Sequence, residues 1–264
     1  MAGCMATRNR QGRIDQILEA LGGGKAASIQ ELSRRLSVSE MTIRRDLMLL
    51  AAQSKVRLVR AGAVLRTGFL DAPASVFSLA AQDGARAAEK ARIGAKAATL
   101  VEPNDVVIID SGSTTERFAR SLAADARLTV ICFALNIMLE VGSRRGCTVV
   151  FAGGTLRSDT LVCESAEGIE LVRRYRANKA FVSAGGVSDT LGVTCIDAAE
   201  AELKKAAMRS AQSRILLVDS SKLGRVTPSW FAALKDFDAI VTDSGISLEY
   251  VEIARSLGIA LHVA

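Results

Sequence analysis

Proline, histidine and aromatic residues are scarce in this chain of 264 residues, which holds three Pro, one His and 4% aromatic side chains. So little proline excludes a proline-rich linker and a collagen-like repeat. The single histidine, His262, is interpreted as a residue at the end of a strand. A histidine-rich metal site or a histidine-based catalytic triad would need more partners than this one side chain.

Paired cysteines and long apolar runs are also missing. The five cysteines are odd in number and lack C-x-x-C spacing: Cys4, Cys132, Cys147, Cys163 and Cys195. We therefore expect no bound metal, no cofactor and a reducing, cytoplasmic setting. No apolar stretch approaches the ~18–20 residues of a membrane helix. No apolar segment typical of a signal peptide follows the first charges, so no membrane partner is expected.

The net charge of +6 is concentrated in the first quarter of the chain. With 49% hydrophobic and 23% charged residues, the composition is that of a globular protein of one or two domains. Residues 1–66 carry twelve Lys and Arg against five Asp and Glu, a net charge of +7, and the other 198 residues carry −1. This asymmetry is typical of a nucleic-acid-binding module joined to a near-neutral domain, although a solvated basic face without a partner gives the same pattern.

Helical patterns and a β-prone ribbon occupy the first 66 residues. Apolar residues at helical spacing predict a helix from about Arg10 to Leu21. Ser28 and Glu31 have the spacing of a capping box, which opens a second helix. After a short turn, Ser39 is placed to cap a third helix. Two short helices joined by a tight turn, the second of them basic, predict a helix-turn-helix over about residues 27–46.

The third helix is the predicted DNA-reading element, because its apolar stripe leaves a polar face free. The candidate DNA-binding side chains on that face are Ser39, Glu40, Thr42, Arg44 and Arg45. Arginine pairs with guanine edges or bridges phosphates, and Ser and Thr hydroxyls take phosphate oxygens, so both kinds of contact stay open here. A β-prone stretch after this helix predicts the wing of a winged helix, from which Arg57 and Arg60 reach the DNA backbone.

These residues resemble the winged helix of the DeoR family of transcriptional regulators. The family hallmark V-S-x-x-T-I-R-R-D-L is matched by Val38–Leu47, at the expected distance after a capped helix. In the wing, Arg60-Ala61-Gly62-Ala63 stands where the family usually has H-G-G-A, and Gln53-Ser54 replaces the glycine of the turn after the third helix. The resemblance implies binding to double-stranded operator DNA.

Strands and helices alternate in the rest of the chain, beyond a stretch rich in small residues. Apolar runs predict seven strands: Val106–Ile109, Leu128–Phe133, Thr148–Phe151, Ala180–Val182, Ile215–Val218, Ala239–Val241 and Ile259–Val263. Helical patterns cover Lys90–Leu100, Thr115–Ala123, Ile137–Val141, Ile169–Tyr175, Ala198–Ala211 and Ser247–Leu257. Short, nearly all-apolar strands separated by helices predict a buried, mainly parallel sheet in an α/β domain.

Polar or glycine-containing loops follow four of these strands, at the carboxyl ends where such sheets bind ligands. The candidate effector-binding residues in these loops are Asp110, Ser111, Gly112, Ser113, Thr114, Gly153, Gly154, Gly186, Asp219 and Lys222. Hydroxyls, glycine and free helix amides form a phosphate cradle, and a lysine adds a cation. Each loop alone is equally well a structural turn, but four loops at one end of a sheet favour a pocket for a small polar ligand.

The same region, from about Lys90 to Asp243, resembles the effector domain of the DeoR family. The matching pieces are Asp110-Ser111-Gly112-Ser113-Thr114, Ala152-Gly153-Gly154, Lys179-Ala180-Phe181, Ala199-Glu200-Ala201-Glu202-Leu203-Lys204, Asp219-Ser220-Ser221-Lys222 and Thr242-Asp243. That fold is similar to sugar-phosphate isomerases such as the ribose-5-phosphate enzymes, and the resemblance implies a phosphorylated sugar as effector. Glu200 and Lys204 are added to the candidate effector residues, and Cys132-Phe133 stands where the family usually has Thr-Asn, at the expected pocket.

A sugar-phosphate isomerase is the alternative function. Glu200 or Glu202 as proton shuttle and Lys222 or Lys204 as electrophile would provide the groups for an aldose–ketose proton transfer. The competing interpretation is a solvated helix with supporting pairs such as Glu200 and Lys204. An isomerase has no need of a winged helix of charge +7, so we expect a regulator that is not an enzyme and has no catalytic residue.

The sequence thus predicts a winged helix-turn-helix (10–66), a linker (67–85) and an effector-binding, oligomerising α/β domain (86–264) whose mainly parallel sheet resembles that of sugar-phosphate isomerases. The implied protein is a cytoplasmic transcriptional repressor of sugar-metabolism genes, whose operator affinity is controlled by a phosphorylated sugar. We expect a homodimer or homotetramer that binds repeated half-sites on operator DNA.

Overall fold

The structure, a computed structural model, describes residues 2–21, 26–53, 55–59, 62–65, 84 and 86–264. The predicted linker, 67–85, lies outside these ranges except for Gly84. The N-terminal elements are α1 (Ala2–Ala20), β1 (Ala26–Ser28), α2 (Ile29–Leu36), α3 (Glu40–Ala52), β2 (Val56–Val59) and β3 (Gly62–Leu65).

Local capping fixes where the two helices of the helix-turn-helix begin. At α2 the Glu31 amide donates to Ser28 Oγ at 3.1 Å and the Ser28 amide donates to Glu31 Oε2 at 3.4 Å, which confirms the predicted capping box. Ser39 caps α3 by accepting from the Thr42 amide. Between the helices Ser37 adopts a left-handed conformation (φ 51°), which ends α2 and turns the chain.

The three N-terminal helices and the wing share one apolar core. Its buried members come from the predicted helical stripes, from the ribbon and, with Ala27, from the unpredicted strand β1: Ile14, Ile17, Leu21, Ala27, Leu32, Ile43, Leu47, Leu50, Val56 and Ala63. β3 pairs antiparallel with both β2 and β1. A Cβ on Gly62 would lie 2.1 Å from the Ala27 carbonyl oxygen, so only glycine lets these strands approach.

The second region alternates helices and strands. Its helices are α4 (Ala87–Ala98), α5 (Ser113–Ser121), α6 (Leu135–Gly142), α7 (Ala166–Arg174), α8 (Ala198–Arg209) and α9 (Leu248–Ser256). The strands of its main sheet are β4 (Val106–Ile109), β5 (Leu128–Cys132), β6 (Cys147–Phe151), β9 (Ala177–Ser183), β12 (Ala211–Leu217), β14 (Ala239–Thr242) and β15 (Ala260–Val263). Every predicted strand is present, and β9 and β12 extend three and four residues further towards the N-terminus than the sequence indicated.

The main sheet has seven strands in the order β15-β14-β12-β9-β4-β5-β6, and all neighbouring pairs are parallel. The predicted α/β fold class is therefore confirmed. Strand order runs outward in one direction from β4 and in the other from β9. The carboxyl ends of these two neighbours form the topological switch point, where a crevice opens because their following helices lie on opposite faces.

Two apolar cores cover the two faces of the sheet. Helices α4, α5 and α6 pack on one face, and α7, α8 and α9 pack on the other. Alternate side chains of β4 pack into the two cores, with Val107 and Ile109 in one and Ile108 in the other. The sheet is thus buried on both faces, which explains why its strands are almost wholly apolar.

Short antiparallel strands outside the main sheet were not predicted. β7 (Thr155–Leu156) pairs with β8 (Cys163–Glu164), and β11 (Gly192–Cys195) pairs with both β10 (Gly186–Ser188) and β13 (Ser229–Ala232). With two to four residues each, these strands are too short to produce a period-two pattern. They lie in the connections that follow β6 and β9 and that precede β14.

Candidate DNA interface and ligand cleft

The start of α3 gathers the predicted DNA-binding side chains on one exposed surface. Glu40, Arg44 and Arg45 are exposed, and neither arginine forms an ion pair with a residue that the structure describes. Ser39 Oγ lies 2.9 Å from Thr42 Oγ1 and also caps the helix, so these two hydroxyls hold each other in place. The arrangement is that of a recognition helix whose N-terminal half can enter a major groove.

Asp46 links α3 to α1 through two ion pairs. Its carboxylate is buried and accepts from Arg10 Nε at 3.1 Å and from Arg13 Nε at 2.6 Å. Two of the positive charges in the first 66 residues, those of Arg10 and Arg13, are therefore paired with a carboxylate of the same module. Sequence reasoning missed this role, although a carboxylate next to the apolar stripe of α3 was the available signal.

The wing residues are less fully described. Arg57 lies in β2, and its side chain is outside the described part of the structure, as is the whole of Arg60. The paired strands β2 and β3 confirm the predicted ribbon.

A cleft opens at the switch point between β4 and β9. Of the predicted effector residues, it is lined by Ser111, Gly112, Ser113, Thr114, Glu200, Lys204 and Lys222. Lys90, Thr160, Ser183 and Cys195, which sequence reasoning did not assign to a site, line it as well. The cleft is thus built from the ends of β4, β9 and β11, the start of α5 and residues of α4 and α8.

A buried ion-pair cluster forms the floor of the cleft. Lys204 is fully buried, contacts the carboxylate of Asp110 and lies 3.0 Å from Glu200 Oε1. Ser111 Oγ donates to Glu200 Oε1 at 3.1 Å, and the Ser183 amide donates to Asp110 Oδ2 at 2.9 Å. Burial lowers the pKa of Lys204, but the two carboxylates more than reverse this and raise it above its usual value. The charged form of Lys204 is therefore stabilised by two carboxylates.

Gly112 lets the β4 loop lie against β9. It has φ 132°, and a Cβ there would lie 2.6 Å from Ser183 Oγ. The following helix α5 begins at Ser113, so its first amides and two hydroxyl residues, Ser113 and Thr114, face the cleft. Free amides at a helix N-terminus favour an anion.

Two further lysines add positive charge to the lining of the cleft. Lys90, on α4, is 2% exposed, and Lys222 lies in a 3-10 turn (Ser220–Lys222) that Asp219 caps. Burial lowers the pKa of Lys222, Asp219 opposes that shift, and the positive charge of Lys90 adds to it. Lys90 is thus buried and Lys222 half-buried, and the charge of Lys90 is near enough to lower the pKa of Lys222.

Comparison with known proteins assigns both parts of the chain. Residues 13–68 match the family model for the DeoR-like helix-turn-helix domain, and residues 85–244 match that for the DeoR C-terminal sensor domain. The deoxyribose operon repressor of Escherichia coli K12 is 33% identical over 260 residues, covering 97% of this chain and 99% of that protein. This chain belongs to the DeoR family. It is a DNA-binding transcriptional regulator, as the sequence predicted.

Further similarities of this DeoR-family regulator are more distant. The HTH-type transcriptional regulator GolR of Listeria innocua is 28% identical over 252 residues, which are 96% of this chain and 98% of GolR. The ribose 5-phosphate isomerase A structure from Methanocaldococcus jannaschii aligns with a TM-score of 0.37 and 21% identity, over 51% of this chain and 53% of the isomerase. Within the described residues, no helix has both the length and the apolarity to cross a membrane.

Several predicted effector residues of this DeoR-family regulator lie away from the cleft lining. Gly153 and Gly154 follow β6, two strands away from β4. Gly154 has φ 141°, and a Cβ there would lie 2.5 Å from the Glu164 carbonyl oxygen. Gly186 packs against the Arg225 carbonyl oxygen. The structure thus gives Gly154 and Gly186 roles in close backbone packing. A Cβ on Gly153 would meet no atom within 4 Å, and the Gly153 carbonyl oxygen accepts from Ser165 Oγ at 2.9 Å.

Asp110 and Asp219 support residues that line the cleft. Asp110 is fully buried under Lys204, and burial raises its pKa, while Lys204 and the hydrogen bond from Ser183 oppose that shift. Asp219 accepts from the Ser221 amide at 3.0 Å and so shapes the turn that carries Lys222.

Cys132 and Phe133 were expected at the pocket, but both are fully buried in the cores on opposite faces of the sheet.

Arg86 ties the start of the sensor domain to this region. Its guanidinium lies 4.0 Å from Asp219 Oδ1 and 3.8 Å from Asp243 Oδ2. Burial raises the pKa of Asp243, but the Ser220 and Gly245 amides and Arg86 bring it below its usual value. Arg86 is one helical turn before Lys90 and directly follows the predicted linker, so one short segment connects the cleft with the chain that leads to the DNA-binding module.

Proposed function

We propose that the chain is a cytoplasmic repressor of sugar-metabolism genes that acts as a homodimer or homotetramer. Operator DNA binds at α3 and the wing, and a phosphorylated sugar in the cleft lowers operator affinity. The proposed boundaries are 10–66 for the winged helix, 67–85 for the linker and 86–264 for the sensor domain. The observation that carries the proposal is that one cleft is lined both by Lys90, Lys222 and the start of α5 and by Glu200, Lys204 and Ser111. We call the first group its cationic end and the second its hydrogen-bonding end.

The phosphate of the effector fits the cationic end. Lys90, Lys222 and the N-terminus of α5 provide two ammonium groups and free backbone amides, with Ser113 and Thr114 hydroxyls beside them. A dianionic phosphate there would offset the repulsion between the two lysines. The desolvation that both lysines already experience makes this end selective for a charged group.

The sugar hydroxyls fit the other end. Glu200 on α8 and Ser111 after β4 present a carboxylate and a hydroxyl, and the buried Lys204 beneath them holds the carboxylate in place. These groups both donate and accept hydrogen bonds, as a polyol requires. The relatives named as operon repressor and transcriptional regulator support a regulatory outcome of binding.

The cleft supports ligand binding better than isomerase chemistry. Glu200, the candidate proton shuttle, already accepts from Lys204 and Ser111. Lys204, the candidate electrophile, is fully buried and paired with Asp110. A paired carboxylate still has lone pairs that accept from sugar hydroxyls, whereas a general base must give up such pairing to take up a proton. We therefore infer that the chain senses its ligand and does not turn it over.

Binding is coupled to DNA through Arg86. A ligand that contacts Lys90 and Lys222 can move the helix that follows Arg86 and the turn that Asp219 caps. Either movement changes where the chain leaves the sensor domain towards the DNA-binding module. Coupling requires that the ligand bind the DNA-incompatible arrangement more tightly than the DNA-bound one.

A thermal-shift screen of pentose and hexose phosphates tests this function. The full chain is heated with each compound, with and without the DNA upstream of its own gene. A true effector at 100 times its Kd stabilises the protein by about 2.7 kcal/mol, and DNA reduces that gain. The matching non-phosphorylated sugars serve as controls. Stabilisation by none of the phosphates, or turnover of one of them, would contradict the proposal.

A further inference from the structure

The outermost ridge of the recognition helix α3 carries two exposed methionines. Met41 is 61% exposed and Met48 is 64% exposed, while Ile43, Leu47 and Leu50 of the same helix are buried. At about 100° per residue, Met41 and Met48 lie on the side opposite to the buried stripe. Large apolar side chains at such positions bury little surface in the folded chain, and their apolar surface leaves water only when a partner covers it.

Charge and position identify the partner as double-stranded DNA. Arg44 and Arg45 flank Met41 on the exposed surface, and no described residue pairs with either of them. A partner must therefore be anionic and must also offer an apolar group. The major groove meets both conditions, because phosphates line it and each thymine projects a C5-methyl group into it.

Met41 is the better placed of the two methionines to reach a base. It lies in the first turn of α3, directly after the cap at Ser39, and the N-terminal residues of a recognition helix contact base edges. Met48 lies two turns further on, where such a helix leaves the groove. The unbranched, polarisable side chain of methionine can adjust its rotamers to contact a methyl group in the groove.

We propose that Met41 reads a thymine by contact with its C5-methyl group. The thymine lies within about two base pairs of the point where Arg45 contacts the DNA, because four helical residues span about 6 Å and one base-pair step about 3.4 Å. The inference rests on the proposed binding of operator DNA by α3. It assigns to the operator a methyl-dependent position that the arginines cannot read.

The test removes single methyl groups from the DNA. Binding sites are first selected from random-sequence double-stranded DNA with the full chain. Each thymine of the selected site is then replaced in turn by uracil, which pairs identically and lacks only the methyl group. For the wild type, we expect one replacement in each half-site to weaken binding about fourfold, the effect of one buried methyl group.

Variants identify the residue that senses the methyl group. Met41→Ala should bind the thymine and uracil sites equally, and Met41→Leu should keep the preference. Met48→Ala, equally exposed on the same ridge, should also keep it. Because Met41 is exposed, none of these changes removes a core side chain.

Three outcomes would overturn the proposal while leaving DNA binding intact. The uracil scan could find no sensitive thymine, Met41→Ala could retain the full preference, or Met41→Ala could change the oligomeric state and not the base preference. The last result would assign the ridge to a protein partner. Selection that yields no preferred DNA at all would instead contradict the proposed function.

Discussion

The ammonium group of Lys222 gives the cleft a characteristic pH dependence. Burial and the neighbouring charge of Lys90 lower its pKa below 10.5, the usual value for lysine, although Asp219 opposes the shift. Lys222 therefore loses its charge at a lower pH than an ordinary lysine does. A bound phosphate favours the charged form, so ligand binding at alkaline pH takes up a proton.

We expect sugar-phosphate affinity of the full chain to fall as the pH rises, before ordinary lysines titrate. Lys222→Ala should abolish binding, and Lys222→Arg should bind with a flatter pH profile because arginine stays protonated. Calorimetry in two buffers of different ionisation enthalpy measures the proton uptake. Lys205→Ala, which removes a lysine paired with Glu202 on α8, is the control. Equal pH profiles for the wild type and Lys222→Arg would exclude Lys222 as a phosphate ligand.

The arginines of α3 allow a second prediction about single residues. Arg44→Ala or Arg45→Ala should cost about 1–3 kcal/mol if the residue reads a base, and should reduce the salt dependence by about one unit of slope if it contacts a phosphate. Fluorescence anisotropy with selected operator DNA at several salt concentrations separates the two cases. Arg255→Ala, an exposed arginine of the sensor domain, should change neither quantity. Unchanged binding of the Arg44→Ala, Arg45→Ala double variant would refute the assignment of α3.

At the level of elements, the contact between α4 and α5 depends on one glycine. A Cβ on Gly94 would lie 2.6 Å from the backbone carbonyl carbon of Arg117 and 2.6 Å from the Phe118 nitrogen. Gly94→Ala must therefore push the two helices apart, and overpacking of this kind costs about 1–3 kcal/mol. Urea denaturation should show the loss, and ligand affinity should fall with it because α4 carries Lys90. Gly142→Ala, with no atom within 4 Å of the added Cβ, is the matched control.

Some features of the helices and strands could be predicted from the sequence, and others could not. The seven parallel strands and the helices between them could be predicted, because burial on both faces makes each strand a continuous apolar run. The capping residues Ser28 and Ser39 marked helix starts correctly, since capping is a local interaction. Strand order is not local, so the sequence could not reveal that Gly153 and Gly154 lie two strands away from the β4 loop. Lys90 and Ser183 were missed for the same reason.

For the whole molecule, the charge asymmetry predicts the behaviour of the separated parts. Removal of residues 1–66 takes away the net charge of +7 and leaves −1 on the remaining 198 residues. Because the sensor domain has its own sheet and two cores, it should stay folded and bind sugar phosphates without affinity for DNA. Circular dichroism, thermal shift and electrophoretic mobility shift measure these three properties. Residual specific DNA binding by the truncated chain would contradict the assignment of the N-terminal module.

Coupling between the two domains should depend on Arg86. Arg86→Ala removes the contacts with Asp219 and Asp243, so we expect ligand and DNA each to bind nearly as in the wild type, while the ligand releases DNA less effectively. Operator binding is titrated with and without a saturating effector, and the ratio of the two Kd values gives the coupling. Arg173→Ala, an exposed arginine of α7, should leave that ratio unchanged. A full effector response in Arg86→Ala would rule out this route.

The backbone of Arg86 adds a geometric consequence to its ion pairs. Its left-handed conformation (φ 55°, ψ 42°) ends α4 on the N-terminal side and is unfavourable for any residue with a Cβ. Once the carboxylates release the side chain, Arg86 would no longer be held in this conformation, and a right-handed one would change the direction in which the chain enters α4. The conformation of one residue would thus set the direction from which the preceding chain arrives at the sensor domain.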